Sequence, residues 1–500
     1  MAKKVIVIGG GIAGLTSAVR LQYDGYDVTL YEQFDRLGGK MNRITGKGFT
    51  FDLGPTIVMM PHIYHEVLSY TGVDPKDYID FMPLDPMYQI TFADGEKLDA
   101  TTDLNRMMVD LEARGEGTAD GFLRYLKDTY AKYLVAKDHF IEKSFRSWRD
   151  FYNPKTLWNA LKLKTFDSAH HTIAKYIKDQ KIQNMLSFQT LYIGISPHKG
   201  PSIYTIIPMI ETLYGVHYAR GGGMYAYVEA LERRFKELGG KVELKSKVEE
   251  VLFEKQKAIG IKLKGQEIMA DAVVVNADFP RAMNTLIKDP KVKGKYTEEK
   301  IAKMAYSCSV FLLYLGLDKK VPDLRVHNLY FGSDFEANLN DIFTGVIPED
   351  PAYYIYSPSR IDDTVAPEGH EGIYVLVPVP ELKTGTFEWT DEVKQSFKEK
   401  IYTKMKKNPG MEDFDQHIVF EEMMTPPDFS EKLGVHYGAT FGLAPTLLQS
   451  NYFRPKNVHP YGKNLYFAGS SVHPGAGVPI AITSGKLVHR ELKKDVPLNA

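Results

Sequence analysis

"KKVIVIGGGIAGLTSAVRLQYDGYDVTLYEQ", residues 3–33, decides the fold class. Val5 to Ile8 is a continuous apolar run, as a parallel strand buried on both faces requires. Gly9, Gly11 and Gly14 follow at G-x-G-x-x-G spacing. The first glycine permits a tight turn, the second lets a pyrophosphate approach the backbone, and the third lets the next helix pack closely on the strand. Phosphate charge would meet the positive end of that helix. Gly25 breaks the helix, Val28 to Tyr31 reads as the second strand, and Glu32 stands at its end, placed to accept both hydroxyls of a ribose. The unit predicts an α/β, Rossmann-like dinucleotide-binding domain and leaves NAD and FAD both open.

The next segment, "DRLGGKMNRITGKGFTFDLGPTIVMMP", separates the two. Arg36, Gly38, Gly39 and Lys40 supply a second glycine pair with basic side chains, suited to further phosphate and flavin-ribose contact. The turn at Gly54, Pro55 and Thr56 would let backbone approach an isoalloxazine ring. FAD is therefore the expected cofactor.

Near the other end, "KNLYFAGSSVHPGAGVPIAITSGKLVHREL" reads as strand Leu465–Ala468, a Gly-Pro loop, and a helix from about Val478 with Pro479 in its first turn. Gly469, Pro474, Gly475, Gly477, Val478 and Pro479 would face the flavin, where a helix N-terminus stabilises the charge of the reduced ring. In the middle, Gly221, Gly223 and Ala226 imitate a second nucleotide fingerprint, but "TLYGVHYAR" before them is a poor buried strand. The chain is expected to re-enter the first domain there, Val248 offering backbone groups to the adenine. Strand "ADAVVVNAD" would then end at Asp278 beside the cofactor.

Composition bounds the rest. The 500 residues are 44% hydrophobic and 25% charged with formal net charge −1, the proportions of a globular protein with chain enough for two or three domains. A near-neutral balance gives no basis for nucleic acid as a partner. The one cysteine, Cys308, lies among apolar neighbours, reads as structural, and suits a reducing cytoplasm. The apolar run after Met1 is too short for a signal peptide, and no segment offers the roughly 18 apolar residues of a membrane span. Residues 143–164 carry six basic residues against one acidic, interleaved with Trp148, Phe151, Tyr152 and Trp158, which predicts an interfacial helical segment on anionic lipid.

The expected organisation is a discontinuous FAD domain (1–80, 215–280, 455–500), a mixed-sheet substrate domain (81–120, 281–454), and a helical, membrane-associated lid (121–214). No metal-spaced Cys/His cluster and no Ser-His-Asp arrangement is evident.

Gly9, Gly11, Gly14, Glu32, Gly38, Gly39 and above all "NLYFAGSSVHPGAGVPIAITS" resemble the bacterial carotenoid desaturases, within the flavin amine oxidase-like proteins. Val472 departs from the Thr or Ala usual before the His, and Lys40 stands where many members have Arg; neither bears against flavin binding. "FDLGPTIVMMP", "FQTLYIGISPHKGPSIYTIIPMIE", "GIYVLVPVPELKTG" and "QSNYFRP" are similar to the C30 branch, the 4,4′-diapophytoene (dehydrosqualene) desaturases. The resemblance runs from residue 4 to about 490. It implies non-covalent FAD, a C30 isoprenoid hydrocarbon substrate and successive C–C desaturations by hydride transfer to flavin. It also implies a cytoplasmic enzyme on the inner face of the cell membrane; the sequence leaves the electron acceptor open, with quinone and oxygen as candidates. Asp150, Glu211 and His473 are the candidates for taking the accompanying proton. Rival activities on the same fold are oxidation of terminal methyl groups and flavin-dependent carotenoid isomerisation.

Overall fold

Alternate side chains of the first strand, Lys4–Ile8, enter two different cores: Val5 and Val7 fill one, Ile6 and Ile8 the other. A strand filled on both faces belongs inside a parallel sheet. The structure, a computed structural model, describes residues 2–163 and 166–498. Its core sheet runs in the order Lys241–Glu243, Asp27–Tyr31, Lys4–Ile8, Ala272–Val275, Leu465–Phe467, every pairing parallel. Segments from the start, middle and end of the chain thus share one layer. Helices Ile12–Tyr23, Tyr225–Glu237 and Val478–Asp495 cover one face, meeting through Leu15, Val228, Leu231, Ile482 and Val488. On the other face, the antiparallel strands Glu250–Glu254 and Lys257–Leu263 bury Val251 and Ile261 against Val273 and Val275.

The central glycine run is no second nucleotide turn. The strand before it, Val216–Ala219, pairs antiparallel with Val58–Met59 and Phe81–Pro83, outside the core sheet. Gly221 and Gly222 donate their amides to Asp362 at 3.3 and 3.1 Å, and Met224 donates to Asp52 at 2.8 Å. Carboxylates of the protein already occupy the place a phosphate would take.

A second, mixed sheet of seven strands is built mostly from the later half of the chain. Its order is Ile418–Met424, Ser309–Leu317, Glu371–Val379, Tyr353–Tyr356, His327–Tyr330, Tyr88–Thr91, Lys97–Ala100. Only the pairing of His327–Tyr330 with Tyr88–Thr91 is parallel. One face buries Phe311, Leu313, Ile373 and Val375 against Trp389 and helix Asp391–Met405. The other turns Leu312, Tyr314, Tyr354 and Tyr374 toward a large apolar cluster shared with the helical region.

That region includes helices Thr118–Ala136, Gln180–Ser187 and Ile206–Tyr214, with the short helices Trp148–Phe151 and Pro154–Lys162 on its outside. Lys164, the last of the basic residues noted in sequence, lies outside the described residues. Among the described residues no helix is long and apolar enough to cross a membrane. Cys308 is buried, and burial pushes its thiol up to about 12, as suits an inert packing residue.

Candidate functional site

Three loops converge at the carboxyl ends of the core strands, where ligands of open α/β sheets bind. The first is the turn after Lys4–Ile8. Gly9 has φ +94°, open to glycine without strain, and its amide donates to Tyr31 O at 2.8 Å. A Cβ on Gly14 would stand 2.4 Å from the carbonyl of Gly9 and 2.8 Å from Asn276 Cβ, so the helix can approach the turn this closely only without a side chain there. Gly38 donates its amide to Gly10 O at 2.9 Å, and Gly39 lies against Gly11, which stacks the second glycine pair on the first. Glu32 is buried at the same place; its carboxylate accepts from Gly10 N at 2.7 Å and Phe34 N at 3.1 Å. Burial raises its pKa while those donors hold it down. Ser246 donates to Glu32 O at 2.7 Å, bringing the segment of Val248 to this edge. Arg36 is more exposed and pairs with Asp35 at 3.3 Å.

The second loop is the turn at Gly54–Thr56, which rests on tyrosines of the seven-stranded sheet. Tyr314 donates to Leu53 O at 2.6 Å, Tyr374 donates to Gly54 O at 3.0 Å, and the hydroxyls of Thr56 and Tyr354 share a hydrogen bond of 2.7 Å. Pro55 lies within this turn, so the loop joins the two sheets.

The third is the C-terminal loop. Asn276, at the end of Ala272–Val275, donates its side-chain amide to Ala468 O at 2.9 Å. Gly469 donates to Ser484 Oγ at 3.2 Å, and that hydroxyl donates to His473 O at 2.9 Å. The loop passes Pro474 and Gly475, and Gly477 adopts φ +104° before the helix opens at Val478 and Pro479. Lys40 reaches across from the first loop, donating Nζ to Thr440 O at 2.6 Å. Burial depresses the Lys40 ammonium and raises the Asp278 carboxyl, each countering the other's shift by its charge.

A family model described as flavin containing amine oxidoreductase matches residues 12–492. The chain belongs to the flavin-containing amine oxidoreductases. Within this family, "4,4'-diapophytoene desaturase (4,4'-diaponeurosporene-forming)" of Staphylococcus haemolyticus (strain JCSC1435) is 44% identical over 496 residues, covering 98% of this chain and 99% of the relative. The enzyme of the same name from Staphylococcus aureus (strain Newman) is 44% identical over 498 residues, covering 99% of each. Among solved folds, an oxidoreductase from Methanosarcina mazei superposes with TM-score 0.64 at 15% identity, covering 97% of this chain and 100% of its own. Cyclohexylamine oxidase from Brevibacterium oxydans gives TM-score 0.61 at 13% identity over 100% of both chains.

The residues present fit the flavin cofactor of this family. The helices Ile12–Tyr23 and Val478–Asp495 both start without a side-chain cap and without an acidic residue in the first turn. Their first amides are therefore left for an anion. Asn276 Oδ1 is buried without a partner beside Gly11 and Gly14. The half-buried Lys40 ammonium and the buried Arg454 guanidinium stand in the field of one carboxylate, Asp278, an excess of positive charge suited to an anionic ligand.

The three proton-acceptor candidates fall in unlike places. Asp150 caps the short helix Trp148–Phe151, its carboxylate accepting from Ser147 N at 2.7 Å and Arg146 N at 2.9 Å. These donors hold it below the usual carboxylate range despite some burial. His473 lies in the third loop, buried, with Nε2 2.9 Å from Lys143 O; since a carbonyl only accepts, that nitrogen carries the proton. Burial pushes its imidazole down to about 4. Glu211 is buried, with its carboxyl pushed up to about 7 by that burial, against the hydrogen bonds of Gln189 and Tyr88.

Sequence reading passed over Asn276, Gln189 and Arg454, isolated polar residues whose neighbours come from distant segments; "QSNYFRP" pointed only to the stretch holding Arg454. It also found no metal spacing, yet His170, His198 and Glu336 come together from three segments with their ligand atoms within 4.8 Å of one another. That largely exposed group lies apart from the three loops in sequence.

Proposed function

We propose that this chain is an FAD-dependent desaturase that introduces successive C=C bonds into a C30 carotenoid precursor, 4,4′-diapophytoene. The observation that carries the reading is the 44% identity, over nearly the whole of both chains, to enzymes named for that reaction. The three converging loops agree with it.

In this reading the amides after Gly9, Gly11 and Gly14, with Gly38 and Gly39, hold the pyrophosphate, and Glu32 accepts the ribose hydroxyls. Val248 offers backbone groups to the adenine. Lys40, Arg36 and Asp278 set the charge around the cofactor, and the turn Gly54–Thr56 lies against its ring. The loop from Gly469 through Pro474, Gly475 and Gly477 to Val478 and Pro479 aims the start of the C-terminal helix at the ring edge. When bound, FAD supplies acceptance of a hydride from an allylic carbon. The chain must then take one proton from the adjacent carbon, and conjugation of the polyene lowers the demand on the base.

Glu211 is the acceptor we favour: it is buried among apolar groups, its basicity is raised, and Gln189 and Tyr88 orient it. Asp150, engaged in capping its helix, and the weakly basic His473 are better suited to holding structure. The hydrocarbon has no polar handle, so burial of roughly 0.8 kcal/mol per CH2 must supply its affinity. A substrate arriving from a bilayer has already gained most of that, which favours an enzyme seated on the membrane. Exposed Trp148, Trp158, Tyr152, Leu448 and Phe453, beside Arg149 and Lys155, are the proposed contact with the inner leaflet. Quinone or oxygen is the electron acceptor in this scheme.

Anaerobic incubation of FAD-loaded protein with 4,4′-diapophytoene in liposomes tests the reading. Flavin bleaching matched by polyene bands at increasing wavelength supports desaturation. Aldehyde formation at terminal methyl groups, or isomerisation without bleaching, replaces it with the corresponding rival.

A further inference from the structure

Arg454 is among the largest fully buried side chains, 1% exposed. Burying a guanidinium is costly unless its charge and donors are met. Four of its five N–H donors go to carbonyls: Nε donates to Val472 O at 3.0 Å, Nη1 to Gln449 O at 3.1 Å, and Nη2 to Leu443 O at 3.1 Å and Ser470 O at 2.6 Å. Its charge is not met in the same way. Among the described residues no carboxylate forms an ion pair with it; Asp278 acts only through its field, shared with Lys40. The other titratable groups around it are Tyr204, bonded to Ser450 Oγ at 2.9 Å, and neutral His473.

The position matters more than the burial. Ser470 and Val472 belong to the loop that delivers the chain to the C-terminal helix, and Arg454 Nε is 4.0 Å from where a Cβ on Gly475 would stand. A permanent cation has been built into the back of the loop proposed above to face the flavin ring.

We infer that Arg454 is a positioning residue whose buried, unpaired charge stabilises the negative charge of the reduced flavin, in addition to clamping the loop through four carbonyls. The inference rests on the reading that this chain binds FAD. It predicts that the reduced cofactor stays anionic below the pH at which free reduced FAD takes up its proton. It further predicts that the bound flavin forms a sulfite adduct readily.

The test uses full-length, FAD-loaded wild type, Arg454→Lys and Arg454→Gln. Lys keeps the charge and loses the four-carbonyl clamp, so FAD should dissociate faster while sulfite affinity and the anionic reduced spectrum persist. Gln should weaken sulfite binding roughly tenfold, the size of effect that removing an adjacent opposite charge produces, and lower the two-electron potential. A clamp without electrostatic effect would loosen FAD in both variants and leave sulfite affinity and potential at wild-type values, overturning the inference. Should Arg454→Gln retain no flavin, the wild type decides: a neutral reduced flavin, with potential falling by two protons per two electrons, overturns it. Protein that takes up no FAD defeats the desaturase reading and this inference together; the other failures defeat the inference alone.

Discussion

Gln189 donates its side-chain amide to the carboxylate of Glu211 at 3.0 Å inside the apolar core, 22 residues along the chain. Tyr88 donates to the same oxygen at 3.2 Å, so the carboxylate is oriented by two neighbours yet starved of water. Burial pushes its pKa up to about 7, which makes it a better base than a surface carboxylate. If it takes the substrate proton, turnover should rise with pH through about 7. Glu211→Gln, which keeps shape and hydrogen bonding, should lower turnover about 10²-fold or more and remove that rise. FAD content should stay unchanged. Rate against pH on matched FAD-loaded proteins is the measurement, and an unaltered profile would reject the assignment.

Asp52 makes a stability prediction of definite sign. It accepts from Met224 N at 2.8 Å, and burial pushes its carboxyl up to about 7 from an ordinary 3.8. The folded chain thus holds a proton that the unfolded chain releases at lower pH. Stability from this group is complete below about 4 and is lost as pH rises to about 7. Asp52→Asn retains the acceptor for Met224 and abolishes the titration. It should be neutral at acid pH and stabilising by about 1–3 kcal/mol at pH 8. Thermal unfolding at the two pH values checks it; equal shifts at both would show that burial of the charge is not the cause.

These two carboxylates mark where the sequence stops being legible. The strand, glycine turn and helix of residues 4–31 could be read directly because each signal is local: an apolar run, glycines at fixed spacing, a helix break. The C-terminal loop was legible for the same reason. Arg454 and Asn276 were not, since their partners are carbonyls brought in by other segments. Asp150 illustrates the converse. A short acid-bearing segment reads equally as a helix cap or a base, and only the donors at Ser147 and Arg146 distinguish them. Gly221, Gly223 and Ala226 imitate a nucleotide turn in spacing, and the antiparallel partners of Val216–Ala219 exclude that reading, as the poor strand pattern before them suggested.

Gly14 tests the close approach of the first helix to the glycine turn. In Gly14→Ala the new Cβ meets the backbone carbonyl of Gly9 at 2.4 Å and Asn276 at 2.8 Å, neither of which is a flexible side-chain end. The helix must move outward, carrying its first-turn amides away from the phosphates. We expect destabilisation of about 1–3 kcal/mol and purified protein with little flavin absorbance. Retention of full FAD at wild-type affinity would show that this contact does not set the cofactor's seat.

The exposed aromatics near Arg149 should govern attachment to lipid. Phe151 stacks on Tyr452 with ring centroids 5.1 Å apart, and Phe145 packs edge-on against His473 at 5.3 Å, so the outer helices are tied to the loop proposed to face the flavin. Trp148 is 58% exposed and Leu448 is 74% exposed, large apolar side chains left to water. Full burial of one such side chain in acyl chains contributes about 1.5–3 kcal/mol. Trp148→Ala and Leu448→Ala should therefore each lower vesicle partitioning by at least about tenfold. Replacing Arg149 or Lys155 by Gln should remove about 1 kcal/mol apiece. That second loss should appear only on anionic vesicles at low salt, because the attraction is screened within a Debye length. Sedimentation with phosphatidylglycerol and phosphatidylcholine vesicles separates the two contributions. Wild-type binding in all four variants would place the membrane contact elsewhere, while loss of turnover on vesicle-borne substrate without loss on detergent-dispersed substrate would tie this surface to substrate entry.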